Sequence, residues 1–224
     1  MYSREPCNIL RHRCPARWSG PAPFAITPGP RVQKKLILAS SSPFRKQLLE
    51  RLHLDFECRS PDVDESTLAG EDAPDYVRRL AQSKAQAIAA TAPGAVVIGS
   101  DQCAVLDGDI LGKPGHHENT LRQLRRAQGK SVVFRTAVCV MHLDSGFNAV
   151  EEVPFEVEFR QLTDAQLEHY LRVEQPYQCA GSFKAEDYGS VLFSRMHGDD
   201  PSALIGLPLF KLVEMLEAVG IEVV

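Results

Sequence analysis

Residues 36–52 read LILASSSPFRKQLLERL, and the change of period within this stretch decides the fold class. LILAS is a continuous apolar run and reads as a short buried strand. Ser42 can then cap a helix that has Pro43 at its first position. Phe44, Leu48, Leu49 and Leu52 follow at helical spacing. A strand running directly into a helix is the opening half of an α/β unit. The helix start carries an anomaly. Arg45 and Lys46 occupy the first turn, beside the positive end of the macrodipole, where acids are the ordinary choice. An anion between strand and helix would account for them, held by the helix amides, the Ser40 and Ser42 hydroxyls and the Arg45 guanidinium. The competing reading is a capped surface helix with solvated basic residues.

Working outward, the polar loop SPDVDESTLAGED leads to a second helix from about Pro74, with Val77, Leu80, Ala81 and Ile88 on one stripe. AVVIGSDQ is too apolar for an exposed strand and is expected at the centre of a sheet. AVLDGDILGKP reads as a hairpin turning at Asp107–Gly108. HHENTLRQLRRAQG is a third helix stopped by Gly129. SVVFRTAVCVMHL and NAVEEVPFEVEFRQL, joined by DSG, form an antiparallel pair. Thr163 and Gln166 make a capping box for a helix to about Val173. GSVLFSRMHG is a further strand and PLFKLVEMLEAVG the last helix. Strands and helices are interspersed but include hairpins, so the expectation is an α/β protein with a mixed sheet.

The chain has 224 residues, 44% hydrophobic and 24% charged, which suits one large domain or one domain plus a tail. Residues 1–34 hold five arginines, a single acid and several prolines without apolar periodicity. We expect a disordered extension there and a domain over 35–224; a targeting peptide fits less well, because the prolines interrupt any amphipathic helix. A formal charge of −4 and a pI near 6.0 leave no electrostatic footprint for nucleic acid. No apolar run reaches the length of a membrane span. The six cysteines contain no CxxC pair, so zinc and redox chemistry are disfavoured and reduced thiols expected. There is no GxxxxGK[ST], no HExxH and no triad order among the histidines.

Four further groups carry candidate chemistry. Lys84 shares the apolar stripe of the second helix, so it either snorkels from the core edge or points into a pocket toward an anion. Asp101 closes the run VVIGSD and could serve as a general base or a metal ligand at a strand end, or be a plain turn residue. Lys113, in GKP, can return to the same region and meet phosphate charge, though alone it is an ordinary loop lysine. Asp62, Asp64 and Glu65 could hold Mg²⁺ or simply solvate a loop.

In this order, ASSSPFR, VDES, LAQSKA, IGSDQ, GKP and CAGSFKAEDYG closely resemble the Maf family of nucleotide pyrophosphatases, over essentially residues 35–220. The resemblance implies a mixed twisted sheet with flanking helices and a cleft between two lobes, like that of the inosine triphosphate pyrophosphatases. It implies hydrolysis of a nucleoside triphosphate to the monophosphate and pyrophosphate, a divalent metal (Mg²⁺ or Mn²⁺), a cytoplasmic location and a possible homodimer. The sequence is most similar to the YceF-type subgroup, whose members act on 7-methyl-GTP. By position, Ser40, Ser42 and Arg45 match the phosphate-binding opening motif. Glu65, Lys84 and Lys113 match charged active-site positions, with Glu65 and Asp101 as metal ligands. Asp101 matches the proposed base, and Phe44, Gln102 and Glu186 fall where the subgroups differ. Phe44 stands where the subgroup carries tryptophan, and residues 1–34 have no counterpart. The alternatives are a dTTP/UTP pyrophosphatase and a non-catalytic nucleotide-binding regulator linked to cell division.

Overall fold

The computed structural model describes residues 34–185 and 187–224. The expectations for the extension before Lys34 and for Glu186 lie outside the described residues. Strand β1 (Leu36–Ala39) runs into α1 (Pro43–Glu50), and β2 (Glu57–Cys58) follows. Next come α2 (Ala73–Ala89), β3 (Val96–Leu106), β4 (Asp109–Leu111) and α3 (His117–Ala127). Strands β5 (Ser131–His142) and β6 (Phe147–Phe159) lead to α4 (Asp164–Glu174), β7 (Phe193–His197), α5 (Pro201–Ile205) and α6 (Leu209–Ala218). The sheet order is β2-β1-β3-β5-β6-β7, with β4 also on β3. Strands β2, β1 and β3 are parallel, while the β3–β4, β3–β5, β5–β6 and β6–β7 pairs are antiparallel. This is the mixed sheet with flanking helices that the alternation of periods foretold.

Local chemistry accounts for most element boundaries. Ser42 caps α1, with Pro43 inside its first turn. The Thr163–Gln166 capping box closes in both directions. The hairpin between β3 and β4 turns at Asp107–Gly108, both at positive φ. Two expectations need correction. The last strand is shorter than GSVLFSRMHG, because Tyr188–Leu192 winds into a 3₁₀ helix first. Asp101 is not at a strand end: β3 continues to Leu106.

That continuation positions the cleft. Strand β5 pairs with β3 from Val97 to Val105, occupying one of its edges. On the other edge, β1 pairs only as far as Gly99 and β4 begins at Ala104. Residues 100–103 of β3 therefore have no strand partner on that side among the described residues. An interrupted edge inside a sheet leaves room for a ligand where the strand order opens.

Three apolar clusters surround this gap. One lies between the sheet and α2 and includes Ile37, Val77, Ala81, Ala85, Val97 and Cys139. Another packs α1 and α6 on the opposite face through Leu48, Leu49, Ile98, Leu212 and Leu216. The third gathers Leu124, Phe134, Phe159, Tyr170 and Phe183 around α3 and α4. Gly99 lets α2 lie directly on β3, since a Cβ there would stand 2.1 Å from the Ala81 carbonyl oxygen and 2.8 Å from the Ala85 nitrogen.

Candidate active site

A cleft of about 450 Å³ opens beside the interrupted edge. Its floor is the β1–α1 junction, Ala39 to Arg45, and Glu65, Lys84, Gln102 and Lys113 face it from four other segments. Its far wall is residues 178–180 and 183–185, with Phe134, Leu204 and Ile205 behind. Of the residues singled out from sequence, Ser40, Ser42, Phe44, Arg45, Glu65, Lys84, Gln102 and Lys113 all line this one space.

At the floor, the cap geometry explains both serines. The Ser42 amide donates to Ser40 Oγ at 3.1 Å, and the Arg45 amide donates to Ser42 Oγ at 3.4 Å. Arg45 then turns into the cleft and donates through Nε to the Gly206 carbonyl at 2.8 Å. Burial pushes its guanidinium below the ordinary range, against the pull of the Asp101 and Glu65 carboxylates. Lys46 parts company with it: that ammonium lies 3.7 Å from Glu50 on the exposed face of α1. Only one of the two anomalous cations belongs to the cleft.

Lys84 does not snorkel. It is 7% exposed, and its Nζ lies 2.5 Å from Asp101 Oδ1 and 2.6 Å from Glu65 Oε1. The close approach at Gly99 brings helix and strand near enough for this contact. Glu65 reaches it because α2 holds the 60–72 loop down. Tyr76 donates to the Glu65 carbonyl at 3.0 Å, and Arg79 donates to the Ser66 carbonyl at 2.9 Å while pairing with Glu71. The hydrogen bond from Lys84 holds the Glu65 carboxyl below the usual carboxylate range. Burial, reinforced by the Asp101 and Glu65 charges, pushes Tyr76 up to about 12. Burial and then Asp101 push the Cys103 thiol to about 12 as well, so it is no nucleophile.

Asp101 stands one layer behind the cleft surface, with Lys84 between it and the open space. The acidic triplet divides. Glu65 joins the cleft, whereas Asp64 accepts from the Ser66 amide and hydroxyl at 2.9 Å and 2.6 Å and so only shapes the loop. Lys113 is exposed on the GKP turn, with no ion pair within 4 Å among the described residues. Gln123 fixes that turn through the Gly112 carbonyl at 3.0 Å, and Gly115 donates to the Tyr177 carbonyl at 2.8 Å.

The far wall comes largely from the CAGSFKAEDYG stretch, but the packing that shapes it was not legible in advance. Gly181, at φ 71°, presses where a Cβ would meet Phe134 Cζ at 2.6 Å. Phe183 meets Phe134 and Phe193 edge-to-face at 5.2 Å and 4.6 Å. Lys184 lines the cleft and pairs with Glu174 at 2.7 Å. Phe44 is half-buried on the cleft rather than part of the α1 core, which Leu48 and Leu49 supply. Also missed was the segment 200–206. Its signal in the sequence is local: Asp200 as cap, Pro201 behind it and Gly206 as stop delimit a five-residue helix.

Among the described residues no group of three or more His, Cys, Asp or Glu is placed to hold a metal. Glu65 and Asp101 nonetheless converge within hydrogen-bonding distance of one ammonium. Two hard carboxylates, with the other oxygens left to water and phosphate, fit a Mg²⁺-like ion rather than a softer metal.

Several known proteins are similar to this chain over most of its length. A protein from Albidiferax ferrireducens is 50% identical over 192 residues, covering 86% of this chain and 96% of its own. One from Pseudomonas aeruginosa is 53% identical over 188 residues, covering 84% and 98%, and one from Nitrosococcus oceani is 52% identical over 188 residues, covering 84% and 94%. All three carry the name 7-methyl-GTP pyrophosphatase. Residues 35–219 match the Maf-like protein family as a whole, from the first strand to the end of α6. With that span and these relatives, the chain belongs to the Maf-like protein family.

Proposed function

We propose that this protein hydrolyses a nucleoside triphosphate to the monophosphate and pyrophosphate, with 7-methyl-GTP as its substrate. The observation that carries this reading is the mixed lining of the cleft. Arg45, Lys84 and Lys113 bring cations to the same space that Phe44, Phe134, Phe183, Leu204 and Ile205 line with apolar surface. A nucleoside triphosphate carries the matching pair, an anionic tail and a flat aromatic head. The relatives named 7-methyl-GTP pyrophosphatase support the choice of base.

In this reading Arg45 and Lys113 grip phosphate oxygens, and the α1 amides complete the cradle. Glu65 and Asp101 would hold a divalent cation, which when bound supplies charge neutralisation on the phosphates. A phosphate oxygen entering beside Lys84 competes for its ammonium and uncovers Asp101. The water oxygen then bonds to phosphorus at the α–β linkage, and the bridging bond breaks. Pyrophosphate leaves with the electron pair, and Asp101 takes the water proton. We place this reaction in the cytoplasm, where its small-molecule substrate is found.

N7 methylation gives guanine a delocalised positive charge, which favours an aromatic face and a carboxylate. Phe44 is the face in this proposal. Glu186 is the carboxylate by its match to the subgroup. Purified protein with Mg²⁺ should release pyrophosphate from 7-methyl-GTP faster than from GTP, dTTP or UTP, and Glu186→Gln should narrow the preference over GTP. Preference for dTTP or UTP would replace the substrate assignment, and binding without turnover would replace the enzyme by a regulator.

A further inference from the structure

The turn between β7 and α6 touches the cleft only through Leu204 and Ile205, yet four side chains around the cleft are fastened to its carbonyls. The Gly206 carbonyl accepts from Arg45 Nε at 2.8 Å, and Ser100 Oγ shares its one hydrogen between that carbonyl at 2.9 Å and the Ala137 carbonyl at 2.8 Å. The Ala203 carbonyl accepts from Gln102 Nε2 and from Thr136 Oγ1, each at 2.8 Å. The Leu204 carbonyl and Thr136 Oγ1 also lie 3.1 Å and 2.9 Å from the same Gln102 nitrogen. An amide nitrogen carries two hydrogens, and both are committed here. The carboxamide oxygen is therefore what Gln102 has left to offer a ligand. Its polarity, and the aim of Arg45, depend on where the 203–206 carbonyls stand.

Asp200 is bonded to both ends of the turn that carries them. It is 2% exposed, and three donors converge on its two oxygens. Oδ1 accepts from the Ser202 amide at 2.9 Å and from Ser202 Oγ at 2.5 Å. Oδ2 accepts from the Phe210 amide at 2.9 Å, and Ser202 Oγ in turn accepts from the Leu209 amide at 2.7 Å. A helix cap requires only the bond to the Ser202 amide. The bonds from the Leu209 and Phe210 amides cross the Leu207–Pro208 step into α6 and close the turn from both ends. An asparagine would offer one oxygen and set an N–H₂ group against the Phe210 amide, donor against donor.

We propose that Asp200, together with Ser202, is a positioning residue that sets Arg45 and Gln102 at the two ends of the bound ligand; this rests on reading the cleft as a nucleotide site. The clamp acts on both ends through one turn, so its loss should couple to each of them. The test is a pair of double-mutant cycles read by calorimetric binding, with metal chelated so that nothing is hydrolysed. In the first cycle, 7-methyl-GTP binds to wild type, Asp200→Asn, Gln102→Ala and the double variant. In the second, inorganic pyrophosphate binds to wild type, Asp200→Asn, Arg45→Lys and the double variant. Each single change should weaken binding about tenfold, and in the Asp200→Asn background the second change should add no more than about twofold. If Asp200→Asn lowers the melting temperature enough to confuse binding, Ser202→Ala removes part of the clamp and leaves the carboxylate in place. Losses that multiply in full, or wild-type affinity in a folded Asp200→Asn protein, overturn the proposal. Turnover is assayed separately. A wild type that shows these couplings but releases no pyrophosphate would refute the assigned reaction and leave the clamp standing.

Discussion

Arg45 and Lys84 both bring positive charge to the cleft, and the fold holds them in opposite ways. Arg45 donates to a neutral carbonyl, Gly206 O at 2.8 Å, and meets the carboxylates only at longer range. Lys84 lies between two carboxylates at 2.5 Å and 2.6 Å. Among the described residues the first cation has no carboxylate within 4 Å, which leaves its charge to an incoming anion. The second is neutralised by its own protein and holds the acids in register until something displaces it. A row of lysines and arginines around a cleft is thus not a row of equivalent ligand contacts. What each can do depends on what already satisfies it.

The comparison can be broken most sharply at Asp101. Asp101→Asn should lower kcat by about 10²–10⁴-fold while nucleotide binding survives, as for loss of a positioned base; near-normal turnover would remove Asp101 from the chemistry. Next, Lys84→Met leaves Asp101 buried without its partner. We expect a stability loss of about 3 kcal/mol, toward the lower end for a broken buried pair because the Glu65 side chain is about half exposed. Urea titration reads this, and a rise in KM with unchanged stability would mean that Lys84 serves the ligand alone and that the buried pair adds nothing to the fold. Gly99→Ala should destabilise by about 1–3 kcal/mol by forcing α2 off β3, and should separate Lys84 from Asp101 in a crystal structure of the variant.

Arg45→Lys keeps the charge but loses the fork. KM for the triphosphate should rise about tenfold, the size of one charge-assisted hydrogen bond, with the melting temperature little changed. The smallest effect belongs to Glu65. Its folded carboxyl is held below the ordinary 4.5 by the hydrogen bond from Lys84. A depressed value stabilises the fold above the unfolded pKa, and that contribution is lost as the pH falls through the folded one. Melting temperatures between pH 6 and pH 3 should therefore fall less steeply for Glu65→Gln than for wild type. Parallel curves would show that the Lys84–Glu65 contact is absent in solution.

How much of this was legible beforehand varies by residue, for physical reasons. The β1–α1 junction could be read from LILASSSPFR because caps, prolines and apolar periods act within a few residues. Lys84 on its apolar stripe announced a choice between snorkelling and pairing, but only α2 lying on Gly99 settled it. Asp101 was misplaced at a strand end, since no local feature says that β1 stops at Ala39 while β3 continues. Lys46 looked equivalent to Arg45 until the direction of each side chain was known.

By itself, then, the sequence determined the alternation of strands and helices, the capped helix starts and the family pattern of charged residues, because these rest on neighbours along the chain. Tertiary structure alone decided that the edge of β3 is interrupted at residues 100–103. It also decided that Lys84 lies between two carboxylates while Arg45, among the described residues, donates to a neutral carbonyl, and that Gln102 is held by carbonyls 101 and 102 residues further on. Those outcomes depend on hydrogen bonds between residues remote in sequence. Such partners are chosen by packing, and no window along the chain contains both of them.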